Sequence, residues 1–183
     1  MKTFQNIVTK GLSGRILQLV FKQWAGMTYV ASAPSRSAVP ATEEQKQTRL
    51  NFKEAVRYAK RKMDDPAMKS LYQQSLKPRQ TAFNRAIKDF MTVPVIGFIH
   101  AGNYNNKPFS HIIVRATDDF RVMNVKVKIE NSAGQWIEEG EASPAGNGLD
   151  WKYLVTESDQ VAADNVITVT VSDMAGNEVS KQA

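Results

Sequence analysis

The chain of 183 residues contains no cysteine. That removes disulfide staples, thiolate metal sites and a cysteine nucleophile together, and leaves the redox compartment open. Histidine is almost as scarce: His100 and His111 are the only two. Neither sits in a nucleophile or zinc spacing, so the commonest general base and commonest metal ligand are thinly supplied. No apolar run approaches the roughly 18 residues of a membrane span. A phosphate-cradling loop is missing too, because Gly11-Leu12-Ser13-Gly14 lacks the Lys-Ser/Thr pair and the strand–loop–helix setting. What is present is globular in balance, with 42% hydrophobic and 23% charged residues, which argues against disorder.

Met1-Lys2 and Ala31-Ser32-Ala33 sketch the two ends of an export signal. The unbroken apolar core of about 7–15 residues that such a signal needs is interrupted by Lys10, Arg15 and Lys22. The expectation is a chain that is cytoplasmic at synthesis, with later incorporation into an assembly or export left open.

Charge is divided unevenly along the chain. Residues 1–92 carry 17 Lys and Arg against 6 Asp and Glu; residues 93–183 carry 7 against 12. The texture changes at the same place, near Pro94, from helical periodicity to strand alternation. These two shifts predict a basic module over 1–92 and a second module over 93–183.

In the first module, Arg15–Lys22 and Met27–Val30 are rich in β-formers and flank Gln23-Trp24-Ala25-Gly26, which predicts a β-hairpin over residues 12–32. A Pro/Ser linker follows from Ala33 to Ala41. Thr42-Glu43-Glu44-Gln45 is a capping box, and Phe52, Ala55, Val56, Ala59 and Met63 continue at helical spacing. Asp65-Pro66 restarts a short helix along Met68, Leu71, Tyr72 and Leu76. Phe83, Ala86, Ile87, Phe90 and Met91 mark a third.

In the second module, strands are predicted near Val95–His100, Phe109–Thr117, Val122–Glu130, Gln135–Glu141, Leu149–Thr156, Asn165–Ser172 and Glu178–Lys181. Turn signals at Asn103–Asn106, Ser132–Gly134, Ser143–Gly148 and Ala175–Asn177 separate them. Seven short strands in about 90 residues fit an immunoglobulin-like β-sandwich. The predicted fold class is therefore an α+β module, one hairpin plus about three helices, followed by an all-β immunoglobulin-like sandwich.

Two runs carry a resemblance. Ile113–Phe120 with Val125–Ile129, and Val169–Asn177 with its closing Asp173-Met174-Ala175-Gly176-Asn177, resemble bacterial immunoglobulin-like and fibronectin-III-like modules. Gly11–Gly14, Pro34–Pro40, Thr42, Gln45 and Arg49–Phe52 resemble the opening of uncharacterised bacterial and prophage-associated proteins. The first likeness implies a fold and the second implies no assigned activity, so no site residue is carried over from either.

The basic helices offer the sharpest binding constellation. Lys53, Arg57, Lys60, Arg61 and Lys62, with Arg85 and Lys88, form a candidate surface for nucleic acid or another anionic partner, since each could neutralise a phosphate. Trp24, Tyr29 and Tyr58 would add stacking if exposed. Against this, the positive residues spread over three helices without a recognised reader motif, as a solvated basic face would. Asp118, Asp119 and Asp173 suit a calcium ion by ligand type but not by loop register, and Asp at a turn ordinarily bonds its own backbone. Glu138, Glu139 and Glu141 would act in acid–base chemistry only in a cleft that separates their pKa values. Trp136 and Trp151 are expected in the core, where a tryptophan on a sandwich strand ordinarily packs; a sugar-binding surface would require at least one of these rings to be exposed.

Together these features predict a non-enzymatic structural or adaptor protein that makes protein–protein contacts. A protein partner or self-association is expected, without a cofactor, metal, membrane span or small-molecule substrate. Opposite charge at the two ends would permit head-to-tail association. The alternative is a nucleic-acid-associated protein that binds through the helical face of residues 42–91.

Overall fold

The computed structural model describes residues 10–35, 39–105, 107–156 and 165–183. Among these the chain is a mixed α+β protein of three helices and eleven strands, the strands forming three antiparallel sheets. It separates into two compact units, Met1–Thr48 and Arg49–Ala183. The change of texture near Pro94 therefore lies inside the second unit, not at the division between them. Part of the predicted linker (36–38) and Asn106 of the predicted turn at 103–106 lie outside the described residues.

The first unit contains a three-stranded meander of β1 (Gly14–Ile16), β2 (Leu19–Trp24) and β3 (Met27–Ser32). The expected hairpin is present as β2–β3, but the single strand expected over Arg15–Lys22 doubles back on itself. Ile16 pairs with Leu19, so Leu17 and Gln18 form a two-residue turn, with Leu17 at φ +52°. The left-handed conformation disfavours a leucine, and neither turn residue is a usual turn former, so nothing in the local chemistry announces the reversal. The β2–β3 turn at Ala25-Gly26, with both φ values positive, carries the expected glycine signal.

Helix α1 (Glu43–Asp64) begins with the predicted reciprocal cap, Thr42 N–H donating to Gln45 Oε1 and Gln45 N–H to Thr42 Oγ1, both at 3.3 Å. Asp65 caps α2 (Pro66–Gln74) by accepting from the amides of Ala67 and Met68, and Thr81 caps α3 (Ala82–Met91) through the amide of Asn84. Strands β4 (Val95–His100), β5 (His111–Thr117), β9 (Asp150–Leu154) and β8 (Ser143–Pro144) form one sheet, in the order β4-β5-β9-β8. The other runs β11-β10-β6-β7, from β6 (Val122–Glu130), β7 (Trp136–Glu141), β10 (Val166–Asp173) and β11 (Glu178–Gln182). Only β8 was not foreseen.

Alternation builds a common core from both four-stranded sheets. Ile112 and Val114 of β5, Val125, Val127 and Ile129 of β6, Tyr153 of β9, and Ile167, Val169 and Val171 of β10 are all buried in one cluster. A second cluster gathers Tyr58, Ala59, Tyr72, Ala82 and Ala86 from the helices, and Phe120 and Ala175 from two strand-connecting turns pack against it. The helices are thus seated on the β5–β6 and β10–β11 connections at one pole of the strands.

Candidate functional site

The cationic residues of the helices separate into two groups with different fates. Lys53, Arg57, Lys60 and Arg61 are exposed on α1, and Lys62, half-buried, lies over the Tyr58 ring at 5.3 Å. Arg85 and Lys88 do not join them. Arg85 is only 3% exposed, pairing through Nη1 with the Asp119 carboxylate and through Nη2 with the Asp119 carbonyl, while its guanidinium rests on the Phe120 ring. Lys88 donates to the other Asp119 oxygen at 2.6 Å. Both cations are spent on seating α3 against the β5–β6 turn. Their partner lies 31 to 34 residues away in sequence, so helical periodicity alone places them on a binding face.

Four of the exposed cations of α1 fall in register. With 3.6 residues per turn, Arg49, Lys53, Arg57 and Lys60 lie in one row along α1, opposite buried Ala55, Tyr58 and Ala59. Glu54 pairs with Arg57 at 2.7 Å from the side of the row. Arg49, Lys53 and Lys60 have no acidic partner among the described residues. Residues 49–54 are exposed on every side of the helix, including Leu50 and Phe52. Arg49 is the member of this row that sequence reasoning left out; its i, i+4 spacing from Lys53 was the available signal.

Beneath the row, the inner face of α1 enters a buried polar cluster. Tyr72 Oη donates to Asp89 Oδ2 at 2.6 Å, Tyr58 and Tyr72 hydroxyls meet at 2.8 Å, and Tyr58 also reaches Asp89 Oδ2 and the Met174 carbonyl at 3.4 Å. Asp89 is fully buried, and its Oδ1 has no hydrogen-bond partner. Burial, with the negative charge of Asp118 and Asp173 nearby, pushes its carboxyl up to about 6, although the Tyr72 hydrogen bond pulls the other way. Burial likewise pushes the Tyr58 hydroxyl up to about 12 and raises that of Tyr72, so both remain protonated donors. Tyr58, offered above as a stacking platform, is instead core. Between it and the β10–β11 turn opens a cleft of about 560 Å³, to which Arg61 and Lys62 bring the positive charge.

The three carboxylates weighed as calcium ligands are engaged within the protein. Asp118 Oδ2 accepts from the amides of Phe120 and Arg121, Asp119 holds Arg85 and Lys88, and Asp173 accepts from the Asn177 amide and side chain. Asn177 Nδ2 also donates to the carbonyls of Phe90 and Thr92, tying the β10–β11 turn to the end of α3. No group of three or more His, Asp or Glu among the described residues is arranged to hold a metal ion.

Most of the carboxylates among the described residues of 93–183 are also engaged within the protein. Glu138 points inward and accepts from the Thr156 amide and hydroxyl; Glu139, Glu130 and Asp150 pair with Lys126, Lys128 and Arg115. His100 is exposed on β4, and His111 Nε2 meets Asn103 Nδ2 at 3.0 Å. The two tryptophans divide: Trp151 packs against the core, whereas Trp136, also expected there, is 63% exposed.

The three-stranded sheet presents the opposite kind of surface. Within β1–β3 only Thr28 is buried, while Ile16, Leu17, Leu19 and Trp24 are exposed, Leu17 to 85%. Ile16–Phe21 holds no charge, although Lys10, Arg15 and Lys22 surround it and residues 10–32 contain no acid.

No helix among the described residues is long and apolar enough to cross a membrane. No family model matches the chain, and no curated protein matches it. Among solved structures, a crystal structure described as an engineered protein is similar over 57% of this chain and 22% of its own, with 17% identity and a TM-score of 0.32.

Proposed function

We propose that this chain is a non-enzymatic structural or adaptor protein that makes protein–protein contacts through the tip of the β1–β2 hairpin. The observation that carries the reading is the exposure of Ile16, Leu17 and Leu19 on a sheet that buries one residue of its three strands. A small sheet without an apolar face against a core is marginal alone, and burying a leucine stabilises by about 1.5–3 kcal/mol. Leu17 also occupies a left-handed backbone position that favours Gly or Asn, a cost that makes sense where the side chain is used. The occupant assigned to this tip is a second copy of the chain. Ile16–Phe21 is a neutral island in a basic segment, so two tips meet without the like-charge repulsion of their surroundings.

The β-rich part of the second unit serves in this reading as a rigid carrier with an immunoglobulin-like sandwich fold. Strand orders β4-β5-β9-β8 and β11-β10-β6-β7 support that assignment, because they match the A-B-E-D and G-F-C-C′ sheets of such domains when β4 is taken as A.

Light scattering coupled to size exclusion tests the reading. The native chain at tens of micromolar is expected to elute above monomer mass, and the double substitution Leu17→Asn, Leu19→Ser to return it to monomer. A native chain that stays strictly monomeric overturns it.

A further inference from the structure

We infer that the exposed half of α1 binds duplex DNA through the row Arg49, Lys53, Arg57 and Lys60, by phosphate contact and without sequence readout. From Arg49 to Lys60 the row spans about 16 Å, against which each DNA strand places about five phosphates. The row itself contains no acid and no apolar side chain between its cations, and the acid beside it, Glu54, engages Arg57 alone. A solvated helix face ordinarily mixes both signs. A protein-binding face carries a buried apolar centre, which the row lacks. Over residues 49–54 the helix is exposed all round, and an α-helix of about 10–12 Å diameter is the width that a major groove of about 12 Å admits. Arg61, one residue beyond the row, adds a further exposed cation at the mouth of the Met174 cleft. Arg85 and Lys88 take no part, because Asp119 holds both. DNA contact through α1 uses none of the hairpin residues that carry self-association, so binding and oligomeric state are measured independently.

Fluorescence anisotropy of the full chain with a labelled duplex oligonucleotide, over a series of salt concentrations, tests it. With four phosphates neutralised, log K should fall against log salt with a slope of about −3 to −4. The triple substitution Arg49→Ala, Lys53→Ala, Lys60→Ala should weaken binding at least roughly tenfold at low salt and flatten the slope by about three units. Lys107→Ala, Lys152→Ala, Lys181→Ala removes the same net charge from exposed positions elsewhere and should leave both nearly unchanged. The charge-keeping set Arg49→Lys, Lys53→Arg, Lys60→Arg should bind like the native chain, which separates lost charge from a lost helix. Absence of binding at low salt overturns the inference, as does equal weakening by the two alanine sets. Tighter binding of poly-glutamate than of DNA would overturn it in favour of an acidic protein partner.

Discussion

Asp89 holds a carboxylate where the fold supplies two phenols and no cation. Its native pKa of about 6 lies above the ordinary aspartate value of about 3.9, so between those two pH values the folded chain binds protons that the unfolded chain does not. Stability contributed by this group therefore rises as pH falls from 7 to 4, by on the order of 3 kcal/mol. Asp119 runs the other way: Lys88 and Arg85 hold its carboxyl below the usual range, so its contribution is lost only as pH drops below about 4. The windows barely overlap. Urea unfolding at pH 7, 5.5 and 4 is expected to show the Asp89 rise in the native chain and its absence in Asp89→Asn; an unchanged profile in that variant would exclude Asp89 as its source. Tyr72→Phe removes the shortest hydrogen bond to the carboxylate and should move the rise to higher pH. Of all this the sequence showed Tyr72 as one of a helical stripe. It did not show Asp89 as buried, because an aspartate in a helix is ordinarily solvated.

At the scale of elements, one glycine and one leucine carry structure that their neighbours do not reveal. Gly140 lies on the inward face of β7, where an added Cβ would stand 3.0 Å from Tyr153 Cε2 and 3.2 Å from its hydroxyl. Tyr153 is fixed in the core, so Gly140→Ala is expected to destabilise the unit by about 1–3 kcal/mol, measurable by thermal denaturation. Leu17→Asn should do the reverse for the small sheet, relieving the left-handed turn by up to roughly 1 kcal/mol and slowing amide exchange in β1 and β2 while abolishing self-association. Slower exchange without loss of association would detach the turn from the proposed contact. Strands β4–β7 and β9–β11 were legible from alternation, and the three helices from caps and apolar stripes, because those signals are local. The Leu17 turn and two-residue β8 were not: Leu17-Gln18 contains no usual turn former, and β8 is too short to show alternation and forms only by pairing with β9.

At the scale of the whole molecule, the charge step near Pro94 takes on a different meaning. Arg85 and Lys88 from one side of it bind Asp119 from the other, Tyr72 stacks on Phe120 at 4.6 Å, and Asn177 holds the last carbonyls of α3. Part of the charge difference is thus consumed where helices meet strands inside the unit Arg49–Ala183. Asp119→Ala leaves a buried guanidinium without its carboxylate, and a loss of roughly 3 kcal/mol is expected. Hydrogen exchange should then register loss of protection in α3 and β10 together; loss confined to the helices would show that they unfold as a separate body.

The sequence by itself determined where helices and most strands form, which face of each is apolar, and that the first half is strongly basic, because caps, periodicity and composition act within a few residues. Only the tertiary structure decided which cations remain free. That outcome depends on partners more than 30 residues away: Asp119 holds buried Arg85 and engages Lys88 at the surface, while Arg49, Lys53 and Lys60 stay on the solvent side of α1 with no acidic partner among the described residues, and Arg57 beside them pairs with Glu54. The scarcity of cysteine and histidine narrowed the chemistry, but the placement of Asp89 among two tyrosines, without an ion pair among the described residues, came from packing three helices against two strand-connecting turns.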